Sequence, residues 1–500
     1  MILDPQEMLK AERHLIEGGI NEESLMDEAG LGIANAVSQF FPEPGNLIVF
    51  VGHGHNGGDA LVAARFLKIR GWIVQLKLVT SIDRLKPLTR KKLQQFEKEK
   101  NSTYSSSDSG KKLPIVSIDG LLGIGASGEL RSEYLEAAKE INNLRRNFDA
   151  VTFSLDIPSG LDGLTGYPYD NAVIADFTLT IAHPKTGLLQ DGAINHVGRI
   201  ATIHLPNLHP LPGQGDGNAF LINSFSVAGK LHEKTHDYHK GLNGHVGIIG
   251  GNIGMIGASV LSGFAALKGG AGLVTIIARE ESYPLIASIS PPEIMVVPVK
   301  SYEEVTEMSF DSLAIGPGLG TGEWDKEVLN LLFSDIRPIV VDADALNLIA
   351  KHDPSELQNA PAPRLLTPHP GEMRRLDPKG EGSRRERAES FARRTSSTVL
   401  LKGARTVIAS PNSTQPSAFN STGNLGMSTA GVGDTLTGLC SAMIAGGINT
   451  FDAACLGSWI NGRAAEIAIF NKVESFESLI ASDLPKNYGQ CFKDLKKSAF

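Results

Sequence analysis

The sequence predicts two successive α/β domains, and three observations carry that expectation. The chain has 500 residues, more than one ordinary domain buries around a single core. Short, near-continuous apolar runs alternate with helical periodicities, the pattern of parallel strands covered on both faces. The alternation breaks at LPNLHPLPGQGDGN (205–218), where Pro and Gly cluster without periodicity; this predicts a linker, with domains at 1–212 and 219–500.

In the first domain, NEESLMDEAGLGIANAVSQFF is an amphipathic helix capped by Asn21 or Ser24. NLIVFVGHG (46–54) is a strand ending in glycine, and GGDALVAARFLKIRG (57–71) is the helix after it. Further strands are expected at 73–79, 115–123, 151–160, 177–184 and 200–206, with a polar, Ser-rich loop at 101–112. The second domain resumes with HVGIIGG (245–251), a helix at 258–270, and strands at 273–278, 312–318, 338–346, 364–369 and 398–404. Helices follow from 434 and 451. The halves do not align as a tandem repeat.

Composition narrows the function classes. Hydrophobic residues make up 41% and charged residues 20%, as in a globular enzyme. The net charge of −8, with no basic block, gives no support to nucleic-acid binding. The N-terminus has no apolar core of a signal peptide, and no apolar run reaches transmembrane length. Cys440, Cys455 and Cys491 are far apart without metal spacing, and Cys440 and Cys455 fall in apolar helical text as buried thiols. A reducing cytoplasm and no membrane partner are expected.

Chemistry is expected where strands end in glycine and acid. HGHNGGD (53–59) follows a strand and opens a helix, so its amides are free to meet a ligand; taken alone, a plain turn capped by Asp59 is the favoured reading. Asp119 ends one later strand, before Gly123, Gly125 and Gly128, and Asp156 and Ser159 end another. Such loops converge outside the carboxyl ends of parallel strands. Asn56, Asp119 and Ser159 offer only oxygen, which favours a hard ion and leaves potassium and magnesium open. Asp156 is either a general base or a structural acceptor for the Ser-Gly turn that follows it.

LMDEAG, GHNGGDALVAARFL, DGLLGIG and DIPSGLDG together resemble the NAD(P)H-hydrate epimerase domain, over roughly 1–210. The resemblance implies a Rossmann-like fold and interconversion of the R and S hydrates of the nicotinamide ring, NADHX and NADPHX. It implies potassium held by Asn56, Asp119 and Ser159. A hydrate site would be lined by His55, Asn56, Gly57, Gly58 and Asp59, by Gly123, Ile124, Gly125, Ala126, Ser127, Gly128 and Glu129, and by Asp156. The family usually has Asn-Asn-Gly-Gly-Asp-Gly; here His55 replaces the first Asn and Ala60 the last Gly. His55 still donates a hydrogen bond, so activity is expected.

In the second domain GPGLG (316–320), DADALN (342–347), TPHPGEM (367–373), LKGARTVIA (401–409) and GNLGMSTAGVGDTLTG (423–438) follow in order. Each alone is a turn: His369 a fixed loop residue, Lys402 and Arg405 solvated charges. Around Gly431, Val432 and Gly433 free amides open a helix whose Leu436, Leu439, Cys440, Met443 and Ile444 share one face. Such amides stabilise a transferring phosphoryl group, and the adjacent Asp434 accepts the proton of the attacking hydroxyl.

This half, roughly 225–490, resembles the nucleotide-dependent NAD(P)H-hydrate dehydratase, of ribokinase-like fold. The resemblance implies phosphorylation of the hydrate hydroxyl and elimination of phosphate. Asp434 would be the base; Ala258, Gly318 and His369 would touch the hydrated cofactor; Lys402, Gly403, Ala404, Arg405, Thr406 and Gly433 would bind the nucleotide. Mg2+ would accompany ADP. Fusion of both domains resembles the bacterial type, for which ADP is expected, with ATP open, and a homo-oligomer is expected. The frequent Thr-Gly-Gly-Ser-Gly-Asp is here Thr429-Ala430-Gly431-Val432-Gly433-Asp434. No Walker A sequence occurs. Two competing expectations are a small-alcohol kinase that retains its phosphate on the product and a non-enzymatic first domain.

Overall fold

The computed structural model describes residues 1–99, 113–233, 236, 239–470 and 473–497. The Ser-rich loop expected at 101–112 lies outside them. The chain forms two compact units that divide between Gly217 and Asn218.

The first unit has strands β1 (Asn46–Val51), β2 (Ile73–Leu78), β3 (Ile115–Gly120), β4 (Val151–Leu155), β5 (Phe177–Ile181) and β6 (Arg199–Ile203). They form a sheet in the order β2-β1-β3-β4-β5-β6. Every pairing is parallel. β3 and β4 carry four and five successive apolar or small residues and are almost wholly buried, as a sheet covered on both faces requires. The order reverses at β1, so the crevice outside β1 and β3 is the topological switch point. The loops 52–54 and 121–131 leave the sheet there. After an N-terminal helix, Pro5–Glu17, comes the helix Glu22–Phe40; Asn21 is its cap, its side chain accepting from Glu23 N.

The stretch 205–217 is not the pattern-free linker expected from its Pro and Gly content. Leu205 and Leu208 are buried with Leu3, Met8 and Ala11. Gly215 N donates to Glu7 at 2.9 Å, and Asp216 N donates to the Ile2 carbonyl at 2.8 Å. Two widely spaced leucines suffice to anchor a segment too irregular to show periodicity.

The second unit has β7 (Ala219–Leu221), β8 (His245–Ile249), β9 (Leu273–Arg279), β10 (Met295–Val299), β11 (Ser312–Ile315), β12 (Ile339–Val341), β13 (Arg364–Leu366), β14 (Thr398–Leu401), β15 (Thr406–Ala409) and β16 (Ser417–Asn420). The sheet order is β10-β9-β8-β11-β12-β13-β14-β15-β16-β7. It is parallel from β10 to β14, while β14-β15-β16 are antiparallel. Sequence patterning did not predict β7, β10, β15 or β16: they are three to five residues long, and β10 contains Pro298, which an edge strand tolerates. Two helices, Val432–Ala445 and Thr450–Phe470, are buried along most of their length. Leu436, Leu439, Cys440, Met443 and Ile444 join one core cluster with Trp459 and Tyr488. Fully burying each large side chain stabilises by about 1.5–3 kcal/mol, which fixes the start of the helix Val432–Ala445 in place. All three cysteines are free and buried. Among the described residues no helix is long and apolar enough to cross a membrane.

Candidate functional site

In the first unit the helix after β1 starts at His55 with Gly54 as its cap residue, and no side chain caps it. Asp59 is therefore the fifth helical residue and not the cap. Its carboxylate is 8% exposed and has no hydrogen-bond partner among the described residues. Burial, then Asp156 and Glu12, push its carboxyl well above the usual range. His55 pairs instead with Glu22 at 3.3 Å; burial and Lys86 draw its imidazole down while Glu22 opposes them.

The three expected oxygen ligands converge. Asn56 Nδ2 donates to the Leu122 carbonyl at 2.8 Å and the Leu155 carbonyl at 3.2 Å. Asp119, fully buried, accepts four hydrogen bonds: from Ser154 Oγ at 2.8 Å, Ser159 N at 2.9 Å, Ser159 Oγ at 2.7 Å and Leu121 N at 3.2 Å. Burial raises its carboxyl against the pull of those donors. Ser159 Oγ also accepts from Leu122 N at 3.1 Å. This cluster gathers amide, carbonyl, hydroxyl and carboxylate oxygens, hard donors of the kind that potassium or magnesium takes. Gly123 packs on Asn56: a Cβ there would lie 3.5 Å from the Asn56 side chain. Ile124 packs against the cluster of Met8 and Ala11, while Gly125, Ser127 and Glu129 are exposed and Ala126 and Gly128 half-buried.

Asp156 has φ +64°, an uncommon left-handed conformation for a non-glycine residue. It is not an acceptor for the Ser-Gly turn. It accepts from Ile181 N at 3.1 Å and from the fully buried ammonium of Lys185. Lys185 also donates to the Ile181 carbonyl at 2.8 Å. Sequence reasoning missed Lys185 and Glu12. A lysine after the strand FTLTIAHP carries no motif, whereas Glu12 was visible as an acid between Met8, Ala11 and Leu15 on an apolar helix face.

In the second unit the loops after β8, β11, β12, β13 and β14 interlock at the carboxyl edge. Gly251 N donates to the Pro317 carbonyl at 3.0 Å, Asn252 N to the Gly318 carbonyl at 2.6 Å, and Lys402 N to the Pro368 carbonyl at 2.8 Å. Gly318 has φ +61°, and a Cβ there would approach Ala258 to 3.0 Å, so these two expected contact residues adjoin. His369 is more than a fixed loop residue. Its Nδ1 accepts from Gly371 N at 2.9 Å and Glu372 N at 3.3 Å, capping the helix Pro370–Leu376. Nδ1 is thereby an acceptor, and burial, then Lys402, draws the imidazole down, leaving it neutral with Nε2 toward Glu372 at 3.4 Å.

Lys402 and Arg405 are not solvated charges. Arg405 is 2% exposed. Lys402 Nζ donates to Asp342 Oδ1 at 2.6 Å and lies 3.9 Å from Glu372. Burial opposes its charge, but Asp342 and Glu372 outweigh burial and raise the ammonium. Thr437 Oγ1 donates to Asp342 Oδ2 at 2.8 Å. A Cβ on Gly433 would sit 3.2 Å from Lys402 Nζ, so the ammonium adjoins the first turn of Val432–Ala445. Gly403 and Ala404 are exposed and Thr406 half-buried. Gly431, with φ +90°, precedes that helix, and Asp434 is its third residue. Burial, then Asp342, raises the Asp434 carboxyl to about 7; Lys402 opposes them. Asp342 stands in DADALN, and its pairing with Lys402, sixty positions away, has no local signal. Among the described residues no group of three or more His, Cys, Asp or Glu is arranged to hold a metal ion.

Residues 246–485 match the family described as NAD(P)H-hydrate dehydratase, and residues 22–187 that described as YjeF-related protein N-terminus. The bifunctional NAD(P)H-hydrate repair enzyme Nnr of Moorella thermoacetica is 32% identical over 490 residues, covering 92% of this chain and 90% of that protein. The protein of the same name from Escherichia coli K12 is 34% identical over 464 residues, covering 90% and 86%. A solved ADP/ATP-dependent NAD(P)H-hydrate dehydratase from Bacillus subtilis, co-crystallized with ATP/Mg2+, is 29% identical and covers 54% of this chain and 97% of its own, with a TM-score of 0.48. On the likeness that runs through both units, the chain belongs to the family of bifunctional NAD(P)H-hydrate repair enzymes.

Proposed function

We propose that residues 1–212 interconvert the R and S hydrates of NADH and NADPH, and that residues 219–500 return the S hydrate to NAD(P)H at the expense of ADP. The observation that carries this is Asp434: a carboxylate in the first turn of a buried helix, raised to about 7, beside a lysine held by a second carboxylate. A hydroxyl that attacks the terminal phosphorus must lose its proton, and Asp434 accepts it as the new P–O bond forms and the nucleotide leaves. The amides around Val432 and Gly433, with Lys402, face the charge that develops on the phosphoryl oxygens. Phosphate then departs with the C–O bonding pair, and a proton leaves the neighbouring ring carbon to restore the double bond. Mg2+, arriving with the nucleotide, would screen the phosphate charge. Ala258, Gly318 and His369 would contact the hydrated cofactor, and Lys402 to Thr406 with Gly433 the nucleotide.

In the first unit, Asp156, charge-paired with Lys185, would take the proton of water at the hydrated ring carbon. Potassium at Asn56, Asp119 and Ser159 would supply a fixed positive charge behind the loops. The turn His55–Asp59 and the loop Gly123–Glu129 would line the hydrate site. Free buried thiols suit a reducing cytoplasm. A homo-oligomer remains part of the proposal, read by light scattering.

The experiment is an assay of the purified chain on mixed R and S hydrates with ADP and ATP in turn. Full recovery of reduced-cofactor absorbance, dependent on nucleotide, is expected. A stable phosphomonoester as the end product would make the second unit a kinase instead. Replacing potassium by a bulky organic cation should slow epimerisation, and Asp119→Ala with an unchanged rate would remove the ion assignment.

A further inference from the structure

The N-terminal helix Pro5–Glu17 carries a residue its apolar face does not explain. Met8, Ala11 and Leu15 pack with Leu3, Ile181, Ala182 and Ile124. Glu12 lies one turn after Met8 and three residues before Leu15, so it shares that face. The helix is tied to the segment that supplies Lys185: Leu3 N donates to the Pro184 carbonyl at 3.0 Å and Thr186 N to the Leu3 carbonyl at 2.9 Å. Leu3 also pairs in parallel with Lys185 itself. Asp59, 8% exposed on the helix His55–Ile69, interacts electrostatically with both Asp156 and Glu12.

Epimerisation requires two proton-handling groups. Water adds to the enamine of a dihydronicotinamide at the carbon next to the ring nitrogen, so the hydrate is a carbinolamine. Inverting that carbon needs an acid where hydroxyl leaves and a base where water returns. Asp156 is the base, and no residue has been assigned as the acid. Resting on the epimerase reading above, we propose that Glu12 is that acid, protonating the departing hydroxyl while Asp156 receives the proton of the water that adds to the opposite face. The C–O bond breaks with its electron pair on oxygen, which takes the Glu12 proton and leaves as water. The ring nitrogen lone pair forms C=N+. Water adds to the other face, the new C–O bond forms as the C=N+ pair returns to nitrogen, and Asp156 gains a proton that solvent carries back to Glu12. No oxidant or reductant is involved.

Electrostatics agree with the geometry. The charged groups around Glu12 are Asp156 after β4, Lys185 after β5, Asp59 on His55–Ile69 and Glu22 on Glu22–Phe40. Lys185 is the cation among them and is already engaged by Asp156. Burial, then Asp156, pushes the Glu12 carboxyl to about 7; Lys185 opposes and Glu22 adds to the rise. Glu12 therefore holds a proton near neutrality, as an acid catalyst must.

The test uses the full chain with R hydrate as substrate, following epimerisation against pH. Wild-type rate should decline as pH rises through about 7, because the acid must be protonated. Glu12→Gln should lower the rate roughly 10²–10³-fold and abolish that decline. Dehydration of pure S hydrate by the same preparation should not change. Glu12→Asp keeps an acid, so its slower reaction should keep a decline, and this variant decides the matter if the glutamine variant does not fold. A near-wild-type rate in Glu12→Gln, or no decline in Glu12→Asp, overturns the assignment. Wild-type epimerisation no faster than the spontaneous reaction would instead sink the epimerase reading, and Glu12 with it.

Discussion

The two glycine–aspartate turns look alike in sequence and differ in depth. In the first, Asp59 is the fifth residue of its helix, a full turn beyond the free amides, buried and without a cation. In the second, Asp434 is the third residue, half-buried, with Lys402 and Asp342 beside it. A shift of two positions along a helix rotates a side chain by about 200° and moves it about 3 Å along the axis. Only the second carboxylate stays in the first turn, next to the free amides of its helix. The same short text thus places a buried carboxyl, raised by burial, inside the helix of one unit, and a carboxylate beside a lysine in the first turn of the helix of the other.

The sharpest way to break this comparison is to remove each base separately. Asp434→Asn is nearly isosteric and should lower nucleotide-driven dehydration roughly 10²–10⁴-fold, with nucleotide affinity kept or slightly improved. Epimerisation by that variant should be unchanged. Asp156→Asn should do the converse, leaving R hydrate stranded while pure S hydrate is dehydrated normally. Both rates measured on both variants decide it; a parallel loss of nucleotide affinity in Asp434→Asn would make Asp434 a binding residue.

Lys402 tests why the second turn is different. Lys402→Met leaves Asp342 buried beside Asp434 without its cation. Breaking such a pair should cost roughly 2–4 kcal/mol, below the range for full burial because Lys402 retains some exposure. Chemical denaturation measures it. The Asp434 carboxyl should rise further, moving the pH dependence of residual dehydration upward. Loss of stability with no change in pH dependence would separate Lys402 from Asp434.

The pH dependence itself comes next. A base must be ionised, and Asp434 sits near 7. Dehydration kcat/KM on S hydrate should therefore rise about tenfold per pH unit below that value and level off above it. Epimerisation, which needs a protonated acid, should fall over the same interval. The opposite slopes of one polypeptide on two substrates are the signature; two rising curves would deny the first unit its acid.

Much of this was legible in the text. Glycine at strand ends marked the loops at the carboxyl edges of both sheets, and the spacing of Leu436, Leu439, Cys440, Met443 and Ile444 identified the helix that carries Asp434. What stayed hidden depends on distance along the chain. Asp342 meets Lys402 and Asp156 meets Lys185 through sheet topology, and no local pattern records such pairs. Short strands such as Ala219–Leu221 hold by pairing with neighbours and contain too few residues to show a period. The exact start of a helix also escapes: the helix begins at His55 after the cap Gly54, which lies five positions before Asp59, and the glycines that follow do not mark that start.

The smallest effect tests how tightly each turn is closed. Gly57 and Gly433 both sit in the first turn of a helix, so alanine should favour both by up to about 1 kcal/mol from helix propensity alone. The surroundings differ. A Cβ on Gly57 would lie 2.1 Å from the Gly52 carbonyl oxygen, which is backbone and cannot step aside. On Gly433 it would meet the tip of Lys402 at 3.2 Å and Asp342 at 3.4 Å, where a flexible ammonium needs to move only a few tenths of an ångström. Gly57→Ala should therefore destabilise its unit clearly. Gly433→Ala should change stability by less than about 1 kcal/mol in either direction, the propensity gain offsetting mild crowding. Its cost should appear as a few-fold loss of dehydration, because Lys402 is the group displaced. Thermal unfolding and the two activity assays read this directly. Equal destabilisation by both substitutions would mean that the second turn is as closed as the first, leaving no room there for a phosphoryl group to approach the amides.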